Sequence, residues 1–370
     1  MKTNQESTFK MTLDVNPEAN TNLDTTMIIE STDNESHIVR YVDFSKLSNS
    51  PLFSSRGYYK PMNYQWAFEA YKTQNELHWT PDSIPMSDDI GDWNEKLSEN
   101  ERNLLTHLFR FFTQGDIDVA SAYIGRYMKI FKNEELRMMM SSFANMEAVH
   151  VDAYSKLLET IGMPVTEYKA FYSFEQMKAK HDYLQNVELV TLSDVARNIA
   201  IYSMMTEGMQ LYSSFAILMN FPRHGKMNNM GQIVSWSIRD EDLHARSMTR
   251  VFKQLVHDHP EILTDEFKAD IYTTCTKMVD LEDHFIDLMF EQGDLENLTK
   301  IEIKDYIRYV ANNRLHDAGL KRIFTKNYKD PLGWLSMMIS SREANNFFEA
   351  KGTGYSVGSM DLAGFKDVWA

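Results

Sequence analysis

Residues 146–154 read Met-Glu-Ala-Val-His-Val-Asp-Ala-Tyr, and this stretch decides the fold. Apolar residues recur every three or four positions before and after it, which is typical of the buried face of an amphipathic helix. Glu147, His150 and Tyr154 continue that face, so a carboxylate, an imidazole and a phenol are predicted to point into the core. Burying an unpaired carboxylate is costly in free energy, so another group must compensate its charge.

A second stretch repeats this pattern further along the chain. Residues 239–244 read Arg-Asp-Glu-Asp-Leu-His, and Glu241 and His244 lie on an apolar stripe that runs from Val234 to Leu255. Two Glu-x-x-His pairs on two helices are the signature of a dinuclear carboxylate metal site in a helical bundle. Such a site needs one further carboxylate from each of two other helices.

Two acidic residues fit that requirement. Asp116 lies on the apolar stripe of a helix predicted over residues 98–128, whereas Asp118 does not, so the periodicity selects Asp116. Glu207 is the one acid on the stripe of a helix predicted over residues 193–220. The predicted metal ligands are therefore Asp116, Glu147, His150, Glu207, Glu241 and His244. Their four carboxylates would balance two divalent cations, and this ligand chemistry suits iron and manganese without excluding zinc.

The composition limits the remaining classes of function. The net charge of −15 over 370 residues argues against non-specific binding to nucleic acid or to an anionic membrane. No apolar run approaches the roughly 20 residues that span a bilayer, and the polar N-terminus has no secretory apolar region. Cys275 is the only cysteine, which excludes an internal disulfide and suits the cytosol. We therefore expect a cytoplasmic protein.

The scarcity of glycine (15) and proline (9) predicts an all-α protein. Residues 1–58 are predicted to be a largely disordered tail with a short strand at 38–42, residues 59–348 one helical domain, and residues 349–370 a flexible tail. Ser193 is the predicted N-cap of its helix, and Pro222 is predicted to follow the helix end. Helices are predicted over 59–78, 98–128, 134–161, 174–184, 193–220, around Glu241, and over 265–292, 301–324 and 332–348.

The simpler interpretation is a helical bundle whose polar residues are structural. A single Glu-x-x-His on a helix is usually a solvated pair, and a core tyrosine or tryptophan usually serves packing. Here two such pairs and two lone acids all fall on apolar stripes of four helices, which a structural role does not explain.

These motifs resemble the small (beta, R2) subunit of class I ribonucleotide reductase over about residues 60–360. The motifs that carry the resemblance are Leu-His-Trp-Thr-Pro at 77–81, Phe-Phe-Thr-Gln-Gly-Asp at 111–116, residues 146–154, Thr-Glu-Gly-Met at 206–209, and residues 239–244. The resemblance implies a ferritin-like helical bundle with additional helices, usually a homodimer.

The resemblance also implies how the metals are held. One metal would be bound mainly by Asp116, Glu147 and His150, and the other by Glu207 and His244, with Glu147 and Glu241 bridging them. Iron is the first expectation for both ions, and manganese at one or both positions remains open. The oxygen-activating centre would then leave a tyrosyl radical on Tyr154.

A radical-transfer path and a partner follow from the same resemblance. Trp79, Asp240 and His150 would form the inner part of the path, and Tyr355 would carry it across the interface to the catalytic large (alpha) subunit. Residues 349–370 would dock on that subunit, which reduces ribonucleotides to deoxyribonucleotides. Two rivals stay open on the residues alone: a dinuclear oxygenase or desaturase with an apolar substrate tunnel, and a ferritin-like metal store.

Overall fold

The fold is built almost entirely of helices. The structure, a computed structural model, describes the backbone of residues 25–32, 35–185 and 189–340, and side chains from residue 42 onward except at 113, 114 and 185. The α-helices are α1 Gln65–Glu76, α2 Asp89–Gly91, α3 Glu99–Ser121, α4 Met128–Ile130, α5 Glu134–Thr160, α6 Thr166–Ala170, α7 Glu175–Gln185, α8 Leu192–Ile199, α9 Leu211–Arg223, α10 Asn228–Asp258, α11 Asp265–Met289 and α12 Lys300–Asp317.

Sequence signals account for most of these boundaries. Helix α3 begins at a capping box in which Ser98 and Glu101 bond each other's backbone N–H groups. The side chain of Asn133, the residue before α5, accepts hydrogen bonds from the backbone N–H groups of Glu135 and Leu136 and so caps this helix. Residues 333–340 are also helical, within the predicted last helix.

Several predicted boundaries were wrong: α1 begins at Gln65 rather than near 59, and α12 ends at Asp317 rather than near 324. The N-cap of α8 is Thr191 rather than Ser193, because Thr191 and Asp194 form the capping box. Pro222 lies in the last turn of α9, which ends at Arg223. Pro222 therefore did not end α9 before its own position, contrary to the prediction from the sequence.

Two helices pass into wider π-helical turns close to the predicted ligands. Helix α3 continues as the π segment Ala122–Tyr127, and α8 continues as the π segment Ala200–Gln210 before α9. The second π segment contains Glu207 and packs against α10. A π turn inserts an extra residue per hydrogen-bonded ring and is frequent at functional sites.

Part of the predicted N-terminal tail has regular structure, within the described residues 25–32 and 35–58. The strands Thr25–Thr32 (β1) and Glu35–Val42 (β2) pair antiparallel, and β2 contains the expected short strand. Phe44, Leu52 and Phe53 are buried in the core, and the Leu52 carbonyl accepts hydrogen bonds from the backbone ahead of α5. The packed domain therefore begins before residue 59, because these apolar side chains are buried against the bundle.

The core lies where the long helices α3, α5, α9 and α10 and the Ala200–Gln210 π segment meet. Within the described residues, no helix is long and apolar enough to cross a membrane. The predicted tail at 349–370, with Tyr355, lies outside the described residues.

Candidate metal centre

Four of the six predicted ligands form a compact buried cluster. Glu147, Glu207, Glu241 and His244 each offer a ligand atom, and these atoms all lie within 4.8 Å of one another. Each of the four residues is at most 1% exposed. They come from α5, the Ala200–Gln210 π segment and α10, so three separate chain segments converge on one point.

The remaining two predicted ligands border this cluster. His150 Nδ1 lies 3.2 Å from Glu241 Oε1 and 3.6 Å from Glu147 Oε2. Asp116 is 1% exposed, and its carboxyl interacts electrostatically with His150, Glu147 and Glu241. The neighbouring Asp118 instead contacts His181 Nδ1 at 2.6 Å. The structure thus places Asp116, and not Asp118, beside the cluster.

Both imidazoles have the same orientation relative to the carboxylates. His244 Nδ1 lies 2.9 Å from Glu147 Oε1, so each histidine turns Nδ1 toward the cluster. The Nε2 atoms face outward, that of His244 to Gln74 Oε1 at 3.0 Å and that of His150 to Asp240 Oδ2 at 3.3 Å. Metal-binding histidines characteristically use the second ring nitrogen in this way, which fixes the orientation of the ring.

The ionisation of these groups follows from their burial and mutual charges. Burial raises the pKa of Asp116 and of Glu207 well above the ordinary value of each carboxyl, and the neighbouring carboxylates add to the shift. Burial would raise the pKa of Glu147 too, but the imidazoles of His150 and His244, which contact its carboxylate, hold it below its usual value. At His244, burial would lower the pKa, but the carboxylates of Glu147 and Glu241 outweigh burial and raise it to about 10.

The donor set fits a pair of divalent metal ions. Both carboxylate oxygens of Glu147 and of Glu241 are buried and have no partner with hydrogen-bond geometry among the described residues. Asp116 Oδ2 and His244 Nδ1 are likewise buried without a partner in hydrogen-bond geometry among these residues. Buried polar atoms are nearly always satisfied, so convergent lone pairs without protein donors indicate a bound cation.

Tyr154 lies on α5, one turn beyond His150, and is completely buried. Its ring stacks on Phe112, with ring centroids 4.5 Å apart and planes inclined by 13°. Burial raises the pKa of Tyr154 above that of a free tyrosine, and the Asp116 charge adds to this. Ser237 lies close to Tyr154, but the Tyr154 hydroxyl makes no bond of hydrogen-bond geometry within the described residues.

Trp79 and Asp240 lie together beside His150. The indole Nε1 of Trp79 donates to Asp240 Oδ2 at 2.8 Å, and the same carboxylate oxygen faces His150 Nε2. The Trp79 ring also stacks on the imidazole of His150, with centroids 5.9 Å apart. An unbroken chain of contacts therefore runs from Trp79 through Asp240 and His150 to the carboxylate cluster.

Three residues of the site were not predicted. Gln74 lies on the buried face of α1 and joins His244 to Asp240, to which its amide donates at 3.3 Å. Tyr123 donates to Glu207 Oε2 at 3.0 Å, and Arg314 binds the carbonyl of Gly208. The stripe periodicity could have indicated Gln74 and Tyr123, whereas nothing in the sequence connects Arg314 with Gly208.

Carboxylates and imidazoles that converge from neighbouring helices define a dinuclear carboxylate protein of the ferritin-like class. Comparison with known proteins identifies the family. A family model described as "Ribonucleotide reductase, small chain" matches residues 56–331. The probable ribonucleoside-diphosphate reductase small subunit of Invertebrate iridescent virus 6 is 42% identical over 342 residues, which cover 82% of this chain and 95% of the viral protein.

More distant relatives agree. The ribonucleoside-diphosphate reductase subunit beta of Chlamydia pneumoniae is 28% identical over 309 residues, covering 80% of this chain and 88% of that protein. The solved structure of the ribonucleotide reductase R2 subunit from Clostridium botulinum shares the fold, with a TM-score of 0.69 at 22% identity over 75% of this chain and 89% of that chain. This chain belongs to the ribonucleotide reductase small-chain family, which confirms the predicted family and the ferritin-like fold.

Proposed function

We propose that this chain is the radical-generating subunit of a class I ribonucleotide reductase that acts on ribonucleoside diphosphates. The observation that carries the proposal is the position of Tyr154, fully buried one turn beyond His150 at the edge of the carboxylate–imidazole cluster. A metal-storage protein has no use for a desolvated phenol at this point.

Asp116, Glu147, His150, Glu207, Glu241 and His244 would hold the two metal ions. When bound, iron or manganese in this centre supplies the one-electron oxidising power that oxygen chemistry generates. Gln74 and Asp240 keep the two imidazoles oriented through their outer nitrogens.

Tyr154 would store the oxidising equivalent as a phenoxyl radical. A tyrosine is a neutral phenol at physiological pH, and burial raises the pKa of Tyr154 further, so formation of the neutral phenoxyl radical removes a proton together with the electron. Phe112 covers one face of the ring and burial excludes water, so the radical would be shielded from small reductants.

Trp79 and Asp240 would pass the oxidising equivalent outward. The Asp240 carboxylate lies between the Trp79 indole and the His150 ring, so it can accept the indole proton when Trp79 loses an electron. Burial would raise the pKa of Asp240, but its bonds to His150 and the charges of His150 and Arg239 lower it, which keeps the carboxylate ionised for this role. Tyr355 would complete the path at the large subunit.

The partner assignments belong to the same proposal. We place residues 349–370 on the large subunit, the chain in a homodimer and the enzyme in the cytoplasm. Two clefts of about 390 and 410 Å³, one beside Leu47 and Ile262 and the other beside Tyr183 and Leu281, are lined by none of the six predicted ligands. Neither therefore offers the substrate tunnel that an oxygenase or desaturase would need.

Reconstitution with the large subunit of the same source tests this function. We expect deoxyribonucleoside diphosphates to form only when both subunits are present, and Tyr154→Phe to abolish turnover. Tyr127→Phe is the matched control, because Tyr127 is also fully buried but its hydroxyl donates to the Asn198 carbonyl. Full turnover by Tyr154→Phe would refute the role of Tyr154.

A further inference from the structure

Glu207 differs from the other carboxylates of the cluster in its surroundings. It lies on the Ala200–Gln210 π segment rather than on a regular α-helix, and Tyr123 donates a hydrogen bond to its Oε2 atom. The oxygens of Glu147 and Glu241, in contrast, meet no donor in hydrogen-bond geometry among the described residues. The protein therefore fixes one oxygen of Glu207 before any ion binds.

The donor of that bond is itself held in place. Tyr123 is fully buried on the Ala122–Tyr127 π segment, with its ring edge-on to Phe143 at 5.9 Å and to His244 at 6.0 Å between centroids. Burial and the charge of Glu207 raise the pKa of Tyr123, so its hydroxyl keeps the proton that it donates. The aromatic contacts leave the hydroxyl little freedom to leave Glu207.

The backbone beside Glu207 is held from the opposite side. Arg314 Nε on α12 donates to the Gly208 carbonyl at 2.8 Å, and its terminal nitrogen donates to Tyr212 at 3.0 Å and to Asp242 at 3.2 Å. A side chain at position 208 would meet Arg314, since a Cβ there would lie 2.9 Å from Nε. One buried guanidinium thus joins the residue after Glu207 to the residue after Glu241.

We propose that Tyr123 and Arg314 are positioning residues that brace Glu207 from its carboxylate and from its backbone. The Tyr123 bond uses one lone pair of Oε2 and so favours coordination of the metal through Oε1, while Arg314 ties the π segment to α10. The inference rests on the metal-binding role of Glu207 proposed above and deepens it. Without the brace, the carboxylate can turn and bind through both oxygens, which changes the coordination of one ion only.

Cobalt(II) is a suitable probe, because its visible absorption reports coordination number and it can be titrated without oxygen chemistry. We would titrate the metal-free full-length chain and the isosteric variant Tyr123→Phe, with Tyr127→Phe as the control from the same π segment. Arg314→Lys tests the backbone side, with Arg308→Lys as its control, since Arg308 lies on the same helix and pairs with Asp283 at a more exposed position. Circular dichroism establishes that each variant is folded.

We expect the wild type and both control variants to bind two cobalt ions per chain with one common spectrum. Tyr123→Phe should still bind two, but the affinity for one ion should fall about 10- to 100-fold, with a changed visible band. Arg314→Lys should weaken the same ion. A wild-type spectrum and affinity in Tyr123→Phe would overturn the brace, while a wild type that binds no stoichiometric cobalt would overturn the metal site itself.

Discussion

Lys180 and Glu282 form an ion pair in the interior of the bundle, and it predicts a large and specific mutational effect. Lys180 Nζ lies 2.7 Å from Glu282 Oε2, both side chains are buried, and the Ser213 hydroxyl donates to the same carboxylate. The ammonium also lies over the Phe111 ring, 3.9 Å from its centroid. The Phe111 ring contacts Phe112 edge-on at 5.7 Å between centroids, and Phe112 stacks on Tyr154.

The expected magnitude follows from burial. At 2.7 Å the attraction is about 6 kcal/mol for an effective dielectric constant of about 20. The loss of hydration costs each ion several kcal/mol, so the net value of the pair is small. Burial accordingly lowers the pKa of Lys180 and raises that of Glu282, with each partner opposing the shift only in part. Removing one partner leaves a buried charge and should cost about 3–5 kcal/mol.

A double-mutant cycle measures this effect. Glu282→Gln and Lys180→Met should each lower the free energy of unfolding by about 3–5 kcal/mol in guanidinium denaturation, whereas the double variant should lie near the wild type. Glutamine keeps an acceptor for Ser213. The control cycle uses Lys178 and Asp182, an exposed pair on the same helix, whose coupling should be about 0.3–0.5 kcal/mol. Equal coupling in the two cycles would refute the reasoning from burial.

Three further predictions concern the path and the periphery. Trp79→Phe should leave a Tyr154 radical intact but stop turnover with the large subunit, because phenylalanine cannot donate to Asp240; turnover near that of the wild type would remove Trp79 from the path. Tyr355→Phe should behave likewise in turnover and electron paramagnetic resonance (EPR) assays. Burial lowers the pKa of His181, but the Asp118 hydrogen bond outweighs burial and raises it above 6.5. The stability that this contact adds is fully present below pH 6.5 and is lost as the pH rises through the folded-state pKa of His181. We therefore expect His181→Gln to lower the free energy of unfolding more at about pH 6 than at about pH 9.

Periodicity was sufficient to predict most of the long helices and the six candidate ligands on their buried faces. The stripe argument separated Asp116 from Asp118 without any structure, and the structure places the first beside the cluster and the second against His181. It worked because a helix whose apolar face carries a carboxylate must bury that carboxylate with the rest of the face.

Features that depend on contacts between distant segments could not be predicted from the sequence. The π segment around Glu207 has no local signature, because its geometry depends on contacts such as that of Arg314 with the Gly208 carbonyl, 106 positions apart in the chain. Phe44 and Phe53 were assigned to a disordered tail since the polar residues around them hide the apolar pattern. Their burial depends on contacts with distant parts of the chain, such as the stacking of Phe53 on Phe131.

The central claim is that the carboxylate–imidazole cluster holds two metals that oxidise Tyr154. It is tested most directly by loading the metal-free chain with Fe(II), admitting oxygen, and measuring metal content together with the low-temperature EPR spectrum. The account predicts two irons per chain and a tyrosyl signal that is lost in Tyr154→Phe and kept in Tyr127→Phe. A chain that binds no stoichiometric metal, or a radical that persists without Tyr154, would contradict it.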